Sequence, residues 1–203
     1  MNIRKSALYL LVTSLCIVFI LVFGIVFLQK QSKGNININR TAVIKEIQNL
    51  QRLETASFTI EKIIDEGTSG SALREFLFGD KILLIAHGQS IAGFDLSQIS
   101  DNDIKIVKQS IILKLPKPQI LVTTLDNTQT RVYDRKRGIL NPGDNNLESK
   151  VREAAQKSIE DAACKGGILT QASDNGRKQL TSLLSAFGFK EISIQIPNGT
   201  CDL

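Results

Sequence analysis

The chain has 203 residues, enough for one domain with a sizeable core, and carries 25 basic against 20 acidic residues, a net charge of +5. The excess is local: Arg4, Lys5, Lys30, Lys33 and Arg40 precede the first acid, Glu46, which leaves 20 basic and 20 acidic residues from Thr41 onward. A formally neutral domain, without tryptophan or interleaved basic and aromatic residues, argues against nucleic acid as a partner.

Ala7–Leu28 is a run of 22 residues without a charge, rich in Leu, Ile, Val and Phe. At about 1.5 Å per residue it spans roughly 33 Å, the thickness of a bilayer's hydrocarbon layer. A cleaved signal peptide has a shorter apolar region and small residues at its cleavage site, whereas this run ends "GIVFLQK". Residues 1–28 therefore read as a cytoplasmic stub and an uncleaved transmembrane anchor, and residues 29–40, "QKQSKGNININR", as a polar juxtamembrane linker.

The remainder, residues 41–203, reads as one α+β domain. Val43, Ile44, Ile47, Leu50 and Leu53 recur at helical spacing and predict an amphipathic helix over Thr41–Thr55. Alternation at Phe58, Ile60 and Ile64, then Ile104 and Ile106, then Ile111, Leu113 and Leu115, then Ile120 and Val122, predicts short strands in one mainly antiparallel sheet. "KILLIA", Lys81–Ala86, is apolar at successive positions and reads as a central strand buried on both faces. Two helices follow, over Leu147–Lys165 and Ile168–Phe187, separated by Gly166-Gly167 and packed on the sheet. Gly188 suits a left-handed helix cap, and "KEISIQI" is the last strand.

Gly93 permits a bulge or a positive φ, and Asp95 is placed to accept hydrogen bonds from the backbone that follows, as an Asx-turn or helix cap does. The spacing of Asp95, Asp101 and Asp103 matches no calcium loop. In "LPKPQ", Pro116 and Pro118 remove two backbone donors and hold Lys117 outward, which confines the segment to a sheet edge, a bulge or a strand end. These five residues, Gly93, Asp95, Pro116, Lys117 and Pro118, form an interaction or structural signature.

Four segments together resemble the bacterial membrane-anchored domain-of-unknown-function family 4230: "LETASFTIEKII", "LLIAHGQSIAGFDLSQI", "IILKLPKPQIL" and "AACKGGILTQASDNGRKQLTSLLSAFGF". The resemblance covers about residues 53–196 and implies a single anchor and an exported domain, with no catalytic residues to carry over. The chain departs at Gly176, where alanine is expected; a glycine there costs about 1 kcal/mol and implies close packing. The paired cysteines are similar to those of the family's cyanobacterial members. Cys16 lies in the anchor, so Cys164 and Cys201 are the pair available to the domain. A bridge between them places the domain outside the cytoplasm and the N-terminus inside; two free thiols are the alternative.

Chemistry is sparse. His87 is the sole histidine, and Ser90, its nearest nucleophile, points to the other face of a continuous strand. One histidine and no CxxC pair cannot fill a zinc site, and no GxGxxG or GxxxxGKS loop implies a cofactor. Arg135-Lys136-Arg137 reads as a solvated loop, and Glu153 with Lys157 as an i,i+4 surface pair. The expectation is a non-enzymatic interaction or scaffold domain. Its partners are the membrane, through one helix, and another envelope protein or a second copy. The alternative is a ligand-binding or hydrolytic enzyme with a pocket near His87 and Asp95.

Overall fold

A computed structural model describes residues 40–67 and 70–201, together with Phe19 and Phe23. The chain divides into two units, Met1–Asn37 and Ile38–Leu203. The predicted anchor, the linker and Cys16 lie outside the described residues apart from Phe19, Phe23 and Arg40, and among the described residues no helix is long and apolar enough to cross a membrane.

The second unit opens with helix α1, Arg40–Asn49, which ends well before the Thr55 that helical spacing predicts. Gln51 stands at a φ of 47° and turns the chain, and Leu53 then serves a strand, paired with Phe94. That strand, β1 (Arg52–Gly67), and β2 (Asp80–Asp95) have 16 residues each and pair antiparallel along their whole length, with the short helix α2 (Ala72–Phe78) in their connection. On its other side β2 pairs with β5 (Gln119–Leu125) near its end and with β6 (Arg131–Arg137) near its start. A second sheet holds β3 (Ile104–Val107), β4 (Ser110–Lys114) and the last strand, β7 (Glu191–Gln195), which runs parallel to β4.

The fold is thus α+β with mainly antiparallel strands, as expected, but in two sheets rather than one. Two 3-10 turns, Leu96–Gln98 and Asp101–Asp103, take the chain out of the first sheet before the second begins. Strand periodicity cannot show this, because it records which residues face a core and not which sheet they join. Arg131–Arg137 is also a strand rather than a loop; all seven residues are exposed, so charged side chains conceal the alternation.

Helix α3 (Leu147–Lys165) covers the first sheet. Leu147, Val151, Ala155 and Ile159 form one stripe on it and pack against Ile82, Leu84 and Ala86 of β2. Helix α4 (Ile168–Ala186) spans both sheets: Ile168, Leu169 and Ala172 meet Ala56 and Ala92, while Leu180 and Leu184 join Phe94, Ile104, Ile111, Leu113 and Ile194. Gly188 has the expected left-handed φ, 91°, and Phe189 is buried against α4's end. The i,i+4 ion pair on α3 joins Glu148 to Arg152, not Glu153 to Lys157.

Among the described residues only one face of β2 is covered. Residues at even positions from Asp80 to Phe94 are buried, whereas Lys81, Leu83, Ile85, His87 and Ile91 are half-buried and Gln89 is exposed. "KILLIA" is therefore central in its sheet but not buried on both faces. On the bare side Ile63 remains 67 % exposed.

Gly176 shows why helix propensity is overridden in α4. A Cβ there would lie 2.4 Å from Cε2 of Phe94, whose ring is fully buried. Propensity alone predicts that Gly176→Ala stabilises by about 1 kcal/mol. The collision should reverse the sign, to a loss of about 1–2 kcal/mol, because the fully buried ring must shift within the core to make room. A denaturant midpoint above that of the wild type would show that Phe94 can move.

Candidate functional site

The signature residues come together at the far end of β2. Gly93 faces Glu54 of β1 on one side and Gln119 of β5 on the other, and both neighbours change register beside it. The expected bulge is present, in the neighbouring strands rather than at a positive φ of Gly93 itself. Asp95 closes the strand and caps the turn after it: Ser97 donates its backbone N–H (3.1 Å) and hydroxyl (2.5 Å), and Gln98 its amide (2.8 Å). These donors, led by the Ser97 hydroxyl, hold the Asp95 carboxyl below the usual carboxylate range. A carboxylate so engaged is a turn device with little capacity left as a base. Leu96 and Ile99 bury behind it.

Pro116, Lys117 and Pro118 are the bridge from the second sheet to the first, between β4 and β5. A proline-bounded link suits this place, since the crossing backbone belongs to neither ladder and needs few donors. Lys117 is exposed, as expected, while Pro118 is buried. The C-terminal tail lies on it: a Cβ on Gly199 would meet Pro118 Cγ and O at 2.7 Å. Cys201 bonds to Cys164, with their Cα atoms 6.2 Å apart. The tail cysteine packs with Phe58 and Ile120 against the alanine-lined core.

Between Asp95 and the start of β5 runs an open groove of about 640 Å³, lined by Gln51, Arg52, Asp95, Ser97, Gln119 and Ile120, among others. His87 is not part of it. Eight residues along β2 separate it from Asp95, about 26 Å at strand rise, so the shared pocket of the alternative reading does not form. Ser90 points to the other face, where its hydroxyl lies 2.9 Å from Thr123 Oγ1. His87 Nε2 instead lies 3.5 Å from Glu61 Oε2, and its backbone is held by Thr130 and Asp126. His87→Ala should therefore cost less than about 1 kcal/mol and leave the cellular phenotype intact at normal abundance. A null phenotype at full abundance with an unchanged melting temperature would restore a chemical role to the imidazole. Among the described residues no three His, Cys, Asp or Glu side chains gather to hold a metal ion.

At the opposite end of the sheet is a network that strand and loop patterns do not reveal. Asp80 is buried and accepts from Arg135 Nε (3.0 Å) and Nη2 (2.8 Å) and from the backbone N–H of Asp144 (2.8 Å). The Arg135 hydrogen bond holds its carboxyl below the ordinary value against the opposing effect of burial. A group whose folded pKa is depressed stabilises fully above its unfolded pKa and loses that contribution as pH falls through the folded one. Asp80→Asn should thus cost on the order of 2 kcal/mol at pH 7, with a difference from wild type that shrinks below about pH 4. Denaturation at pH 7 and pH 3 checks this; an equal difference at both removes the ionic account. The signal in the sequence was an acid directly before an apolar strand.

The family model described as "Protein of unknown function (DUF4230)" matches residues 45–194. No curated protein and no solved structure matches the chain.

Proposed function

The chain belongs to the DUF4230 family, and on that premise we propose that it is a single-pass, membrane-anchored envelope protein whose exported domain is a non-enzymatic interaction or scaffold module. In this reading residues 1–28 are the cytoplasmic stub and anchor, residues 29–40 the linker, and residues 41–203 the domain on the periplasmic side. The observation that carries the interaction role is the bare side of the first sheet and its rim. Ile63, Tyr133, Ile139 and Leu140 are 60 % exposed or more, on strands and turns held by regular hydrogen bonding. Large apolar groups fixed at a surface are characteristic of contact sites. The compartment is supported by the Cys164–Cys201 bridge, since disulfides persist outside the reducing cytoplasm. The partner is another envelope protein or a second copy.

The test is protease treatment of spheroplasts, with intact-mass analysis of the membrane-bound chain. The domain should be digested from outside, and the untreated protein should retain Met1 or Asn2. A mature start near Gln29 removes the anchor, and a domain protected until lysis reverses the orientation.

A further inference from the structure

The distal tip of the β1–β2 hairpin gathers five of the large exposed hydrophobic residues. Leu73, Phe76 and Phe78 of α2 are 69 %, 60 % and 53 % exposed, and Ile139 and Leu140 are 70 % and 60 % exposed. These are not frayed ends. Ile139 donates its N–H to the Phe76 carbonyl (3.2 Å), Leu140 to Leu77 (2.8 Å) and Gly138 to Gly79 (2.8 Å). The Asn141 amide clasps the carbonyls of Phe78 (2.7 Å) and Gly79 (3.0 Å). Gly138 is required by this approach, because a Cβ would come within 2.6 Å of the Leu77 carbonyl oxygen. Phe76 and Ile139 flank a cleft of about 350 Å³ that Glu75 and Arg137 also line. The described residues thus build a hydrogen-bonded platform and leave it uncovered among themselves.

We infer that this tip is a homotypic interface, in which the platform of one copy packs against the same platform of a second. Two features select a second copy over other occupants. The first is area. At roughly 200 Å² for a fully exposed aromatic side chain and less for Leu or Ile, the five groups present on the order of 500 Å² of apolar surface, toward the upper end for an isolated monomer. Two platforms face to face, with their charged rims included, approach the roughly 1,200 Å² at which stable protein interfaces begin. The second is charge. The rim carries exposed Arg74, Lys136 and Arg137 together with exposed Glu66 and Glu75, and none of these joins an ion pair among the described residues. A two-fold axis sets a patch against itself, so a rim of both signs can match cation to anion across the contact.

This inference rests on the interaction reading above and names its surface and partner. The test uses the full chain in its native membrane, with a benzophenone amino acid in place of Phe76 and irradiation before extraction. The expected product has twice the mass of the chain and maps to α2 or to residues 138–141 of a second copy. Ile139→Asp with Leu140→Asp, both at exposed positions, should reduce it at least tenfold while abundance and the Cys164–Cys201 bridge are unchanged. A twofold-mass product insensitive to these substitutions overturns the inference, as does a Phe76 product with lipid alone. A product with a different protein also overturns it but leaves the interaction reading standing. Absence of any protein product from probes at Phe76, Thr124 and Lys117 overturns both.

Discussion

Gly93→Ala is expected to destabilise the domain by about 3 kcal/mol or more, beyond the usual range for one added methyl group. The new Cβ would lie 1.9 Å from the carbonyl oxygen of Leu53 and 2.9 Å from its carbon. Both atoms are backbone, so no change of rotamer relieves the collision and β1 itself must shift. That strand is pinned where it would need to move. Leu53 is paired with the fully buried Phe94, and Leu96 donates its N–H to the Gln51 carbonyl at 2.6 Å. Gly167→Ala is the control. Gly167 has a φ of 81° but nothing within 4 Å of a Cβ, so only the left-handed conformation is penalised, by about 1 kcal/mol. The two variants, compared by denaturant midpoint at constant m-value, separate close approach from backbone conformation. Equal losses would mean that the strands at Gly93 can spread.

Removing the bridge should cost about 4 kcal/mol. Cys164 and Cys201 are 37 residues apart in sequence, and closing a loop of that length removes about 13 cal/mol/K of entropy from the unfolded chain. For a chain of this size a loss of 4 kcal/mol lowers the melting temperature by roughly 10 °C. Cys164→Ser with Cys201→Ser, and the reduced wild type, should melt at the same lowered temperature. The tail then loses its covalent tie, keeping only non-covalent packing such as the approach of Gly199 to Pro118 and Leu169, and should become a site of limited proteolysis. Mass analysis after alkylation, without and with prior reduction, reads the bridge directly. Two alkylatable domain thiols in protein from native membranes would sink this account and the placement of the domain outside the cytoplasm.

Much of the candidate surface was legible and much was not. Asp95 as a capping residue follows from its type, because the bonds it accepts are made within a few residues of chain. The exposure of Lys117 follows from the prolines that flank it, although their place as the bridge between two sheets does not. The tip is invisible to pattern. "LREFLF" has the composition of a buried helix, and only its position on a hairpin end, with no layer of described residues above it, leaves Phe76 and Phe78 in solvent. Asp80 likewise precedes an apolar strand as many surface acids do, until Arg135 of β6 is brought to it from 55 residues away.

Acting alone, the sequence determined what depends on near neighbours. The helices at Leu147–Lys165 and from Ile168, the left-handed cap at Gly188, the turn at Asp95 and the α+β class all follow from spacing, caps and glycines. Tertiary structure decided what depends on partners distant in the chain. It divided the strands between two sheets, set β7 parallel to β4, bared one face of "KILLIA" and turned Gly176 from a helix weakness into the seat of Phe94. The physical reason is that periodicity records a residue's demand for burial but not the identity of what buries it. That identity is settled by which surfaces fit at close packing, and here one helix, α4, packs against both sheets at once.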